Sequence, residues 1–384
     1  MTTTGKTISW VVVALIIIAI IIGFSRTPKV DEGVISKEPI KIGVMAPLTG
    51  DAAIYGEPAI NVYKIAVEEI NTSGGIDGRN LELIIEDSKC NGKDGASSAS
   101  KLVNVDKVQV IIGGICSSET LAAVPVVETG KVALFSPGAS SPDLTNKGQF
   151  FSRDYPSDAS QGSVLAEAAL KSGFKKIAFI QEQTDYAVGI TKAFSSVFEK
   201  GGGTIVKEEF PTETSDFRTT LTKLQSQKPD MLFINTQTTP VSDRILKQIT
   251  ALNWKVKIFV NDVTIDSPQL ITDHSKILEG TVGAVFKVDP SNTKFAKVLA
   301  DYKLKYGVDM PYQSYGQTEY DAIYLIKEAI SDVGYDGVKI AQWLKNVKNW
   351  EGASGSVTIG SDGDRIGGHS LQIVKNGKTE PYNP

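Results

Sequence analysis

The sequence predicts an α/β protein with two lobes, each a mostly parallel sheet flanked by helices. Short β-branched runs such as 40–45 alternate along the chain with helical patterns such as 58–70. This alternation is typical of parallel sheets that are covered on both faces. The pattern restarts after Arg153 to Pro156, which indicates a second sheet. The length of 384 residues is sufficient for two hydrophobic cores.

The individual elements follow from hydrophobic periodicity and from glycine and proline positions. Strands are predicted at 40–45, 81–85, 108–112, 132–135, 176–180, 205–210, 231–234, 257–260 and 282–288. Helices are predicted at 58–70, 93–105, from 117 onward, and at 159–171, 186–200, 217–225, 241–252, 292–306, 318–331 and 340–347. The tail, 355–377, has the composition of turns and a β-hairpin.

The order of these elements predicts that the chain crosses between the lobes three times. The crossings are placed near 153–158, 281–290 and 350–358. The predicted domains are therefore 40–156 with 285–352 for the N-terminal lobe, and 157–284 with 353–384 for the C-terminal lobe. Residues 1–25 are predicted to be a signal peptide or membrane anchor, and 26–39 a linker.

An uncharged run, 7–25, is dominated by Val, Ile, Leu and Ala. As a helix it would span about 28 Å at roughly 1.5 Å per residue, close to the roughly 30 Å of hydrocarbon in a bilayer. Two interpretations fit: a retained membrane anchor, or a secretory signal cleaved near Gly23-Phe24-Ser25. In both cases the chain from about residue 40 onward lies outside the cytoplasm.

Charge and motif content exclude several classes of function. The net charge is −4, without the basic stripe that nucleic-acid binding requires. The sequence contains none of the common nucleophile-elbow, zinc-protease, P-loop, dinucleotide or CxxC motifs, so we do not expect an enzyme or a cofactor. The two histidines, His274 and His369, are not near cysteines or acidic clusters. We therefore expect surface histidines and no metal site.

Rows of small hydroxyl residues follow two consecutive predicted strands. Cys116, Ser117 and Ser118 come after the first strand, where Ser117 or Ser118 can cap a helix and leave backbone N–H groups for an anion. The second strand is followed by the loop 136–142, SPGASSP, whose prolines and glycine fix the backbone. Ligands in open α/β sheets lie outside the carboxyl ends of strands. Two ordinary capped turns are the alternative.

Asp262 and the two cysteines extend this pattern. Asp262 ends a predicted strand of the second lobe, where its carboxylate could pair with a ligand ammonium; a turn or helix-capping aspartate is the alternative. Cys90 and Cys116 each follow a predicted strand, and neighbouring strands could bring them together. We expect a disulfide, as is usual outside the cytoplasm, with two buried thiols as the alternative.

The chain from about residue 40 to its end resembles the periplasmic binding proteins of the branched-chain amino acid type, which are receptors of ABC importers. The resemblance implies the type I periplasmic-binding-protein fold, two lobes joined by a three-segment hinge that closes on one amino acid. It covers nearly all of the chain beyond the N-terminal run. The segments that carry it are 41–57 (KIGVMAPLTGDAAIYGE), 68–91 (EEINTSGGIDGRNLELIIEDSKCN), 110–120 (VIIGGICSSET), 136–145 (SPGASSPDLT) and 185–189 (DYAVG).

The resemblance implies a role for each residue of the site. Ser117 would bind the ligand carboxylate through its N–H and hydroxyl. Gly138 would offer its carbonyl to the ammonium, and Ser140 would bind the carboxylate with its N–H and the ammonium with its hydroxyl; Ala139 lies between them in the same loop. Asp262 corresponds to the family's acidic ammonium partner. Tyr55, Tyr186 and Tyr315 would wall the side-chain pocket. The Cys90–Cys116 pair also matches a bridge seen in some members.

One segment departs from the family pattern. In Asn235 to Thr239, NTQTT, leucine-type receptors tend to carry glycine and an aromatic residue. If Gln237 faces the pocket, an unpaired amide beside a leucine side chain would cost about 1 to 3 kcal/mol. The expected ligand is therefore a branched-chain or other small neutral amino acid, and the alternative is a polar amino acid, urea or a short amide. The expected partner is an ABC permease; a ligand-sensing ectodomain is the alternative function.

Overall fold

The computed structural model describes residues 38–384. The predicted signal peptide or anchor, and all but the end of the predicted linker, lie outside the described residues. Within 38–384, no helix is long and apolar enough to cross a membrane.

Five parallel strands form the first sheet, in the order β2-β1-β3-β4-β5. The sequence did not predict the last of them, since three residues are too few to show a periodic pattern. The strands are β1 (Ile40–Ala46), β2 (Leu81–Asp87), β3 (Val110–Ile112), β4 (Ala133–Ser136) and β5 (Phe151–Arg153).

Seven strands form the second sheet, in the order β14-β13-β10-β9-β8-β6-β7. Its first five strands along the chain run parallel, and the C-terminal hairpin adds two antiparallel strands at one edge. The strands are β6 (Lys176–Glu182), β7 (Thr204–Phe210), β8 (Met231–Asn235), β9 (Lys257–Val260), β10 (Val282–Phe286), β13 (His369–Lys375) and β14 (Lys378–Pro381). A separate two-stranded pair joins β11 (Trp350–Gly352) to β12 (Gly355–Val357).

Helices cover both sheets, as the alternating sequence pattern predicted. The first half of the chain contributes α1 (Ala53–Thr72), α2 (Gly92–Asn104), α3 (Ser117–Gly130), α4 (Asp158–Lys171), α5 (Asp185–Phe198), α6 (Arg218–Ser226) and α7 (Thr239–Ala251). The second half contributes α8 (Asp262–Ile265), α9 (Pro268–Asp273), α10 (Ser275–Leu278), α11 (Thr293–Tyr306), α12 (Gln313–Val333) and α13 (Gly337–Leu344). A 3-10 turn spans Pro142–Leu144.

Alternation along each strand gives every sheet two apolar faces. In the first sheet, Val110 and Ile112 pack with α1, α12 and α13, whereas Ile111 packs with α2 and α3 on the other face. In the second sheet, Ile180 faces α6 and α7, and Phe179 faces α4 and α5. Burial on both faces explains why these strands are continuous apolar runs in the sequence.

The chain passes between the two cores three times. It leaves the first sheet after β5 and enters the second through α4. It returns after β10, because Phe295 and Val298 of α11 belong to the first core. Val357 and Ile359 also pack there, and His369 then pairs in the second sheet. The lobe limits given from the sequence stay a prediction.

Helix α1 begins five residues before the predicted start at residue 58. The prediction left Gly56 outside the helix, yet Gly56 lies inside it, and the predicted first residue, Pro58, lies in its second turn. A β-carbon at Gly56 would fall 1.8 Å from the carbonyl oxygen of Pro47. Glycine is therefore needed for close packing of this first turn against the loop after β1, and it is not a helix breaker here.

Cys90 and Cys116 form the predicted disulfide, with their Cα atoms 5.2 Å apart. The premise that they follow neighbouring strands was wrong, because β1 lies between β2 and β3. The loop after β2 instead reaches across the end of β1 to the start of α3. The bridge thus fixes the residue that precedes Ser117.

Replacing both cysteines, Cys90→Ala with Cys116→Ala, should lower the free energy of unfolding by about 3 kcal/mol, since the bridge closes a loop of this length in the unfolded chain. Urea unfolding monitored by circular dichroism measures the change. Reductant should destabilise the wild-type protein similarly and leave the double variant unaffected. A wild-type transition that reductant does not shift would contradict this.

Candidate ligand-binding site

The C-terminal ends of β3 and β4 carry the two serine loops, and the structure brings these loops together. Ser117 is the first residue of α3, while Cys116 holds the N-cap position that the sequence assigned to Ser117 or Ser118. The hydroxyl oxygen of Ser117 accepts a hydrogen bond from the N–H of Ser141 at 3.0 Å. Ser117 and Ser140 are both 1% exposed.

The first turn of α3 points backbone N–H groups toward this junction, and such groups have no acceptor within the helix. They form a favourable position for an anion. A β-carbon at Gly114 would lie 2.2 Å from Oε1 of Glu119, the atom that accepts the Cys116 N–H at 2.9 Å. Glu119 is buried, which raises its pKa to about 7. Glycine and glutamate together therefore fix the turn that presents Ser117.

Arg153 supports the loop after β4. The sequence did not indicate this residue as part of the site. Its Nη1 donates to the carbonyl oxygens of Ala139 at 3.0 Å and Ser141 at 2.9 Å. Ser136 braces the same loop: its hydroxyl donates to the Gly114 carbonyl at 2.7 Å and accepts the Ala139 N–H at 2.9 Å. The carbonyl of Ala139 is thus engaged by the protein itself. Gly138 and Ser140 flank it in the loop.

Asp262 lies at the start of α8, directly after β9, and is 2% exposed. Its carboxylate accepts hydrogen bonds from the hydroxyls of Tyr155 at 3.3 Å and Tyr315 at 3.2 Å, and from the Gln161 amide at 3.1 Å. The hydroxyl of Tyr186 donates to it as well. Burial, followed by the charge of Asp262, raises the pKa of all three tyrosines. The carboxylate therefore sits in a ring of neutral phenols.

Aromatic rings form one continuous wall beside this carboxylate. Tyr155 stacks on Tyr315 with ring centres 4.9 Å apart. Tyr55 meets Tyr315 at 5.9 Å and Tyr312 at 4.6 Å. The structure thus unites the predicted Tyr55, Tyr186 and Tyr315, and adds Tyr155 and Tyr312. Neither of the added residues follows a strand that the sequence had predicted.

Gln237 lies at the same cleft and is 9% exposed. Its backbone carbonyl accepts a hydrogen bond from the Tyr55 hydroxyl at 3.4 Å, and its N–H donates to the carboxylate of Glu182 at 2.7 Å. Burial raises the pKa of Glu182 to about 7. The NTQTT segment is therefore part of the contact between the two lobes, and the role of the Gln237 side chain in ligand choice stays a prediction.

A second carboxylate, Asp158, lies close to Ser140. The Ser140 hydroxyl donates to Oδ2 of Asp158 at 2.6 Å, and the Asp158 N–H donates to the Ser140 carbonyl at 2.8 Å. Burial and then the charge of Asp262 raise the pKa of Asp158 well above its ordinary value. Asp158 lies in the segment assigned only to a crossing, and Gln161 lies in the predicted helix 159–171, to which no site role was given. Recognising β5 as a strand would have marked that segment as another strand end.

These contacts join the two lobes across the cleft. The loop after β4 meets α4, residues after β5 and on α12 meet α8, and α1 meets the segment after β8. Two ion pairs lie at the rim, Asp51 with Arg244 at 3.0 Å and Asp143 with Lys192 at 3.1 Å. The arrangement brings the start of α3, a buried carboxylate and an aromatic wall to the same cleft.

Comparison with known proteins decides the family. Residues 39–379 match the family model of the periplasmic binding proteins. The chain belongs to the periplasmic binding protein family. The Leu/Ile/Val-binding protein BraC3 of Rhizobium johnstonii is 28% identical over 330 residues, covering 85% of this chain and 88% of that protein.

Solved structures agree with this periplasmic binding protein assignment. A leucine-binding protein from Thermotoga maritima has a TM-score of 0.80 at 30% identity and covers 90% of this chain and 98% of its own. A branched-chain amino acid transporter substrate-binding protein from Streptococcus pneumoniae, solved with isoleucine, has a TM-score of 0.78 at 25% identity and covers 90% and 100%. The predicted family, the two-lobe type I fold and a binding protein rather than an enzyme are thereby confirmed.

The prediction of surface histidines was wrong for this periplasmic binding protein. His274 and His369 are 9% and 8% exposed. Nε2 of His274 lies 2.8 Å from Asp243, and Nδ1 of His369 lies 2.6 Å from the Ser160 hydroxyl. Burial lowers the pKa of His369 to about 4, so it is neutral at pH 7. Among residues 38–384, no group of histidine, cysteine, aspartate and glutamate is suited to a metal ion.

The ligand-free protein should lose stability as the pH rises from about 6 to 8.5. Burial raises the pKa of Glu119, Glu182 and Asp266 to about 7 and that of Glu319 to about 8. A raised pKa means that the folded state binds protons which the unfolded state has already released. Each such acid therefore stabilises the fold below its unfolded pKa, and this stability is lost as the pH passes the folded value.

Urea unfolding at several pH values measures this loss, which we expect to be at least about 2 kcal/mol, since one pKa unit corresponds to about 1.4 kcal/mol. Glu319→Gln removes one of these acids and should flatten the slope. His369 acts in the opposite sense, because its lowered pKa contributes stability that is lost as the pH falls below about 6.5. Stability that is constant or increasing above pH 6 would refute the prediction.

Proposed function

We propose that this protein is the extracytoplasmic substrate-binding component of an ABC importer. It binds a branched-chain or other small neutral L-amino acid between its lobes and delivers it to a membrane permease. The observation that carries this proposal is the pairing, in one cleft, of the first turn of α3 with the buried carboxylate of Asp262. Relatives named for leucine, isoleucine and valine support the ligand class.

The two ends of a zwitterionic amino acid match this pairing. The ligand carboxylate binds the N–H and hydroxyl of Ser117 and the N–H of Ser140. The ammonium binds Asp262, the Gly138 carbonyl and the Ser140 hydroxyl. Charge-assisted hydrogen bonds of this kind are roughly twice as strong as neutral ones, and closure removes water from around them. Tyr55, Tyr186 and Tyr315, with Gln237, surround the side chain.

Closure follows from contacts on both sides of the cleft. The serine loops belong to the first sheet, whereas Asp262 and Tyr186 follow strands of the second. A ligand that touches both lobes favours the closed state by its differential affinity for that state. The N-terminal run, 7–25, carries the chain across the membrane and either remains as an anchor or is removed. The closed complex is then the form presented to the permease.

Calorimetric titration of residues 38–384 with the twenty amino acids, urea and small amides tests the proposal. The protein is first unfolded and refolded to remove bound ligand. Micromolar or tighter binding of leucine, isoleucine or valine is expected, and polar ligands should bind more weakly. Exclusive binding of polar or amide ligands would make Gln237 and its threonine neighbours the specificity determinants. Absence of any amino-acid binding would refute the proposed function.

Asp262→Asn should weaken amino-acid binding by roughly 2 to 5 kcal/mol, the usual effect of removing one member of a buried charge pair. Asp266→Asn is a matched control, because Asp266 is a neighbouring acid that also bonds to a hydroxyl, that of Ser314 at 2.6 Å, but has no proposed ligand contact. Titration calorimetry of both variants measures the difference. Equal affinities of the two variants would place the ammonium elsewhere.

A further inference from the structure

The contacts of Ser140 point to a residue with no assigned role in ligand binding. Asp158, the first residue of α4, is fully buried and lies on the far side of the first crossing from Ser140. Its Oδ2 is 2.6 Å from the Ser140 hydroxyl oxygen, and its N–H donates to the Ser140 carbonyl at 2.8 Å. One residue thus holds Ser140 by its backbone and by its side chain.

The chemistry of a hydroxyl group gives this contact a consequence. A serine hydroxyl has one proton and two lone pairs, and an ionised carboxylate only accepts. A bound ammonium favours the ionised form of Asp158, and both of its oxygens accept hydrogen bonds, Oδ2 from the Ser140 hydroxyl and Oδ1 from the Gln161 amide. With its proton directed at Asp158, the Ser140 hydroxyl oxygen has only acceptor capacity left for the ligand. It then favours an ammonium and disfavours a carboxylate oxygen. The Ser140 N–H, in contrast, can serve only an acceptor.

We propose that Asp158 is a positioning residue that orients the bound amino acid by fixing the Ser140 hydroxyl as a hydrogen-bond acceptor. This inference rests on the proposed function and deepens it. The ligand class becomes narrower: the group next to the carboxylate must donate a hydrogen bond, as an ammonium does, and the 2-oxo acid of the same carbon skeleton, whose oxo group only accepts, is rejected. Asp158 acts through Ser140 and does not itself contact the ligand.

Gln161 connects Asp158 to Asp262, the proposed partner of the ligand ammonium. Its Nε2 donates to Oδ1 of Asp158 at 2.8 Å and to Oδ1 of Asp262 at 3.1 Å. Since Asp158 and Gln161 are three residues apart on α4, they share one helix face. The amide therefore fixes the separation between the acid that orients Ser140 and the acid that binds the ammonium. Neutral His369 lies against Asp158 as well, with Nε2 3.7 Å from Oδ1.

Affinities for two ligands distinguish a loss of ligand orientation from a general disruption of the site. The ligands are L-leucine, or the amino acid that binds most tightly in the titration panel, and the 2-oxo acid of the same carbon skeleton, whose oxo group cannot donate to Ser140. Asp158→Asn should weaken binding of the amino acid by about 10- to 100-fold, as expected for one group of a buried charged network. It should weaken binding of the oxo acid by less than about threefold. A variant with a merely distorted cleft would lose both ligands equally.

A double-mutant cycle with Ser140→Ala tests whether Asp158 acts through the hydroxyl. In the Ser140→Ala background, Asp158→Asn should lower the affinity for the amino acid by less than about threefold, because both changes remove the same interaction. Ser140→Thr retains a hydroxyl and should bind nearly as well as the wild type. Asp266→Asn, which removes a partly buried acid that has no hydrogen bond to Ser140, should leave the preference between the two ligands unchanged.

The outcomes distinguish this inference from the function on which it rests. If the wild-type protein binds no amino acid, the proposed function fails and the role of Asp158 falls with it. If the wild type binds and Asp158→Asn binds equally well, only the positioning role is overturned. Additive losses in the cycle also overturn it, since they would mean that Asp158 acts independently of Ser140. If Asp158→Asn does not fold, Ser140→Ala alone must show the selective loss of the amino acid.

Discussion

The architecture of the cleft depends on one buried cation, the guanidinium of Arg153. Its five N–H groups all have acceptors: both carboxylate oxygens of Asp364, the Thr145 hydroxyl, and the carbonyls of Ala139 and Ser141. A fully buried charge is tolerated only with such complete pairing. Arg153 ends β5 at the first crossing, and Asp364 lies on the third. The guanidinium therefore links the loop after β4 to two of the segments that cross between the lobes.

Strand ends were the part of the site that the sequence could predict. Ser117, Ser140 and Asp262 each follow a run whose apolar pattern is unambiguous, and parallel strands bring such positions to one edge of a sheet. Asp158 and Gln161 could not be found in this way, since they follow β5, which is only three residues long. The order in which the strands pair could also not be predicted from local sequence patterns. Strand β1 lies between β2 and β3 because of tertiary packing, although the sequence places β2 directly before β3.

The electrostatics of the cleft favour a ligand with positive charge. Asp158 and Asp262 are both buried at this edge of the second lobe. Burial raises the pKa of Asp158, and the charge of Asp262 adds to this effect. The tyrosine hydroxyls and the Gln161 amide supply dipoles but no charge. A ligand ammonium would offset the repulsion among these carboxylates, so that ligand binding and the stability of the closed cleft are coupled.

The two lobes contribute opposite kinds of group, which is the arrangement that the proposed closure on one amino acid requires. The first lobe offers backbone N–H groups and hydroxyls at the start of α3 and after β4. The second offers carboxylates at the starts of α4 and α8. A zwitterion with both charged groups on one carbon must engage both lobes to satisfy both ends. The same requirement disfavours binding to the open cleft. In that state one charged end of the ligand would stay in water, and Asp262 would lack an ammonium to pair with.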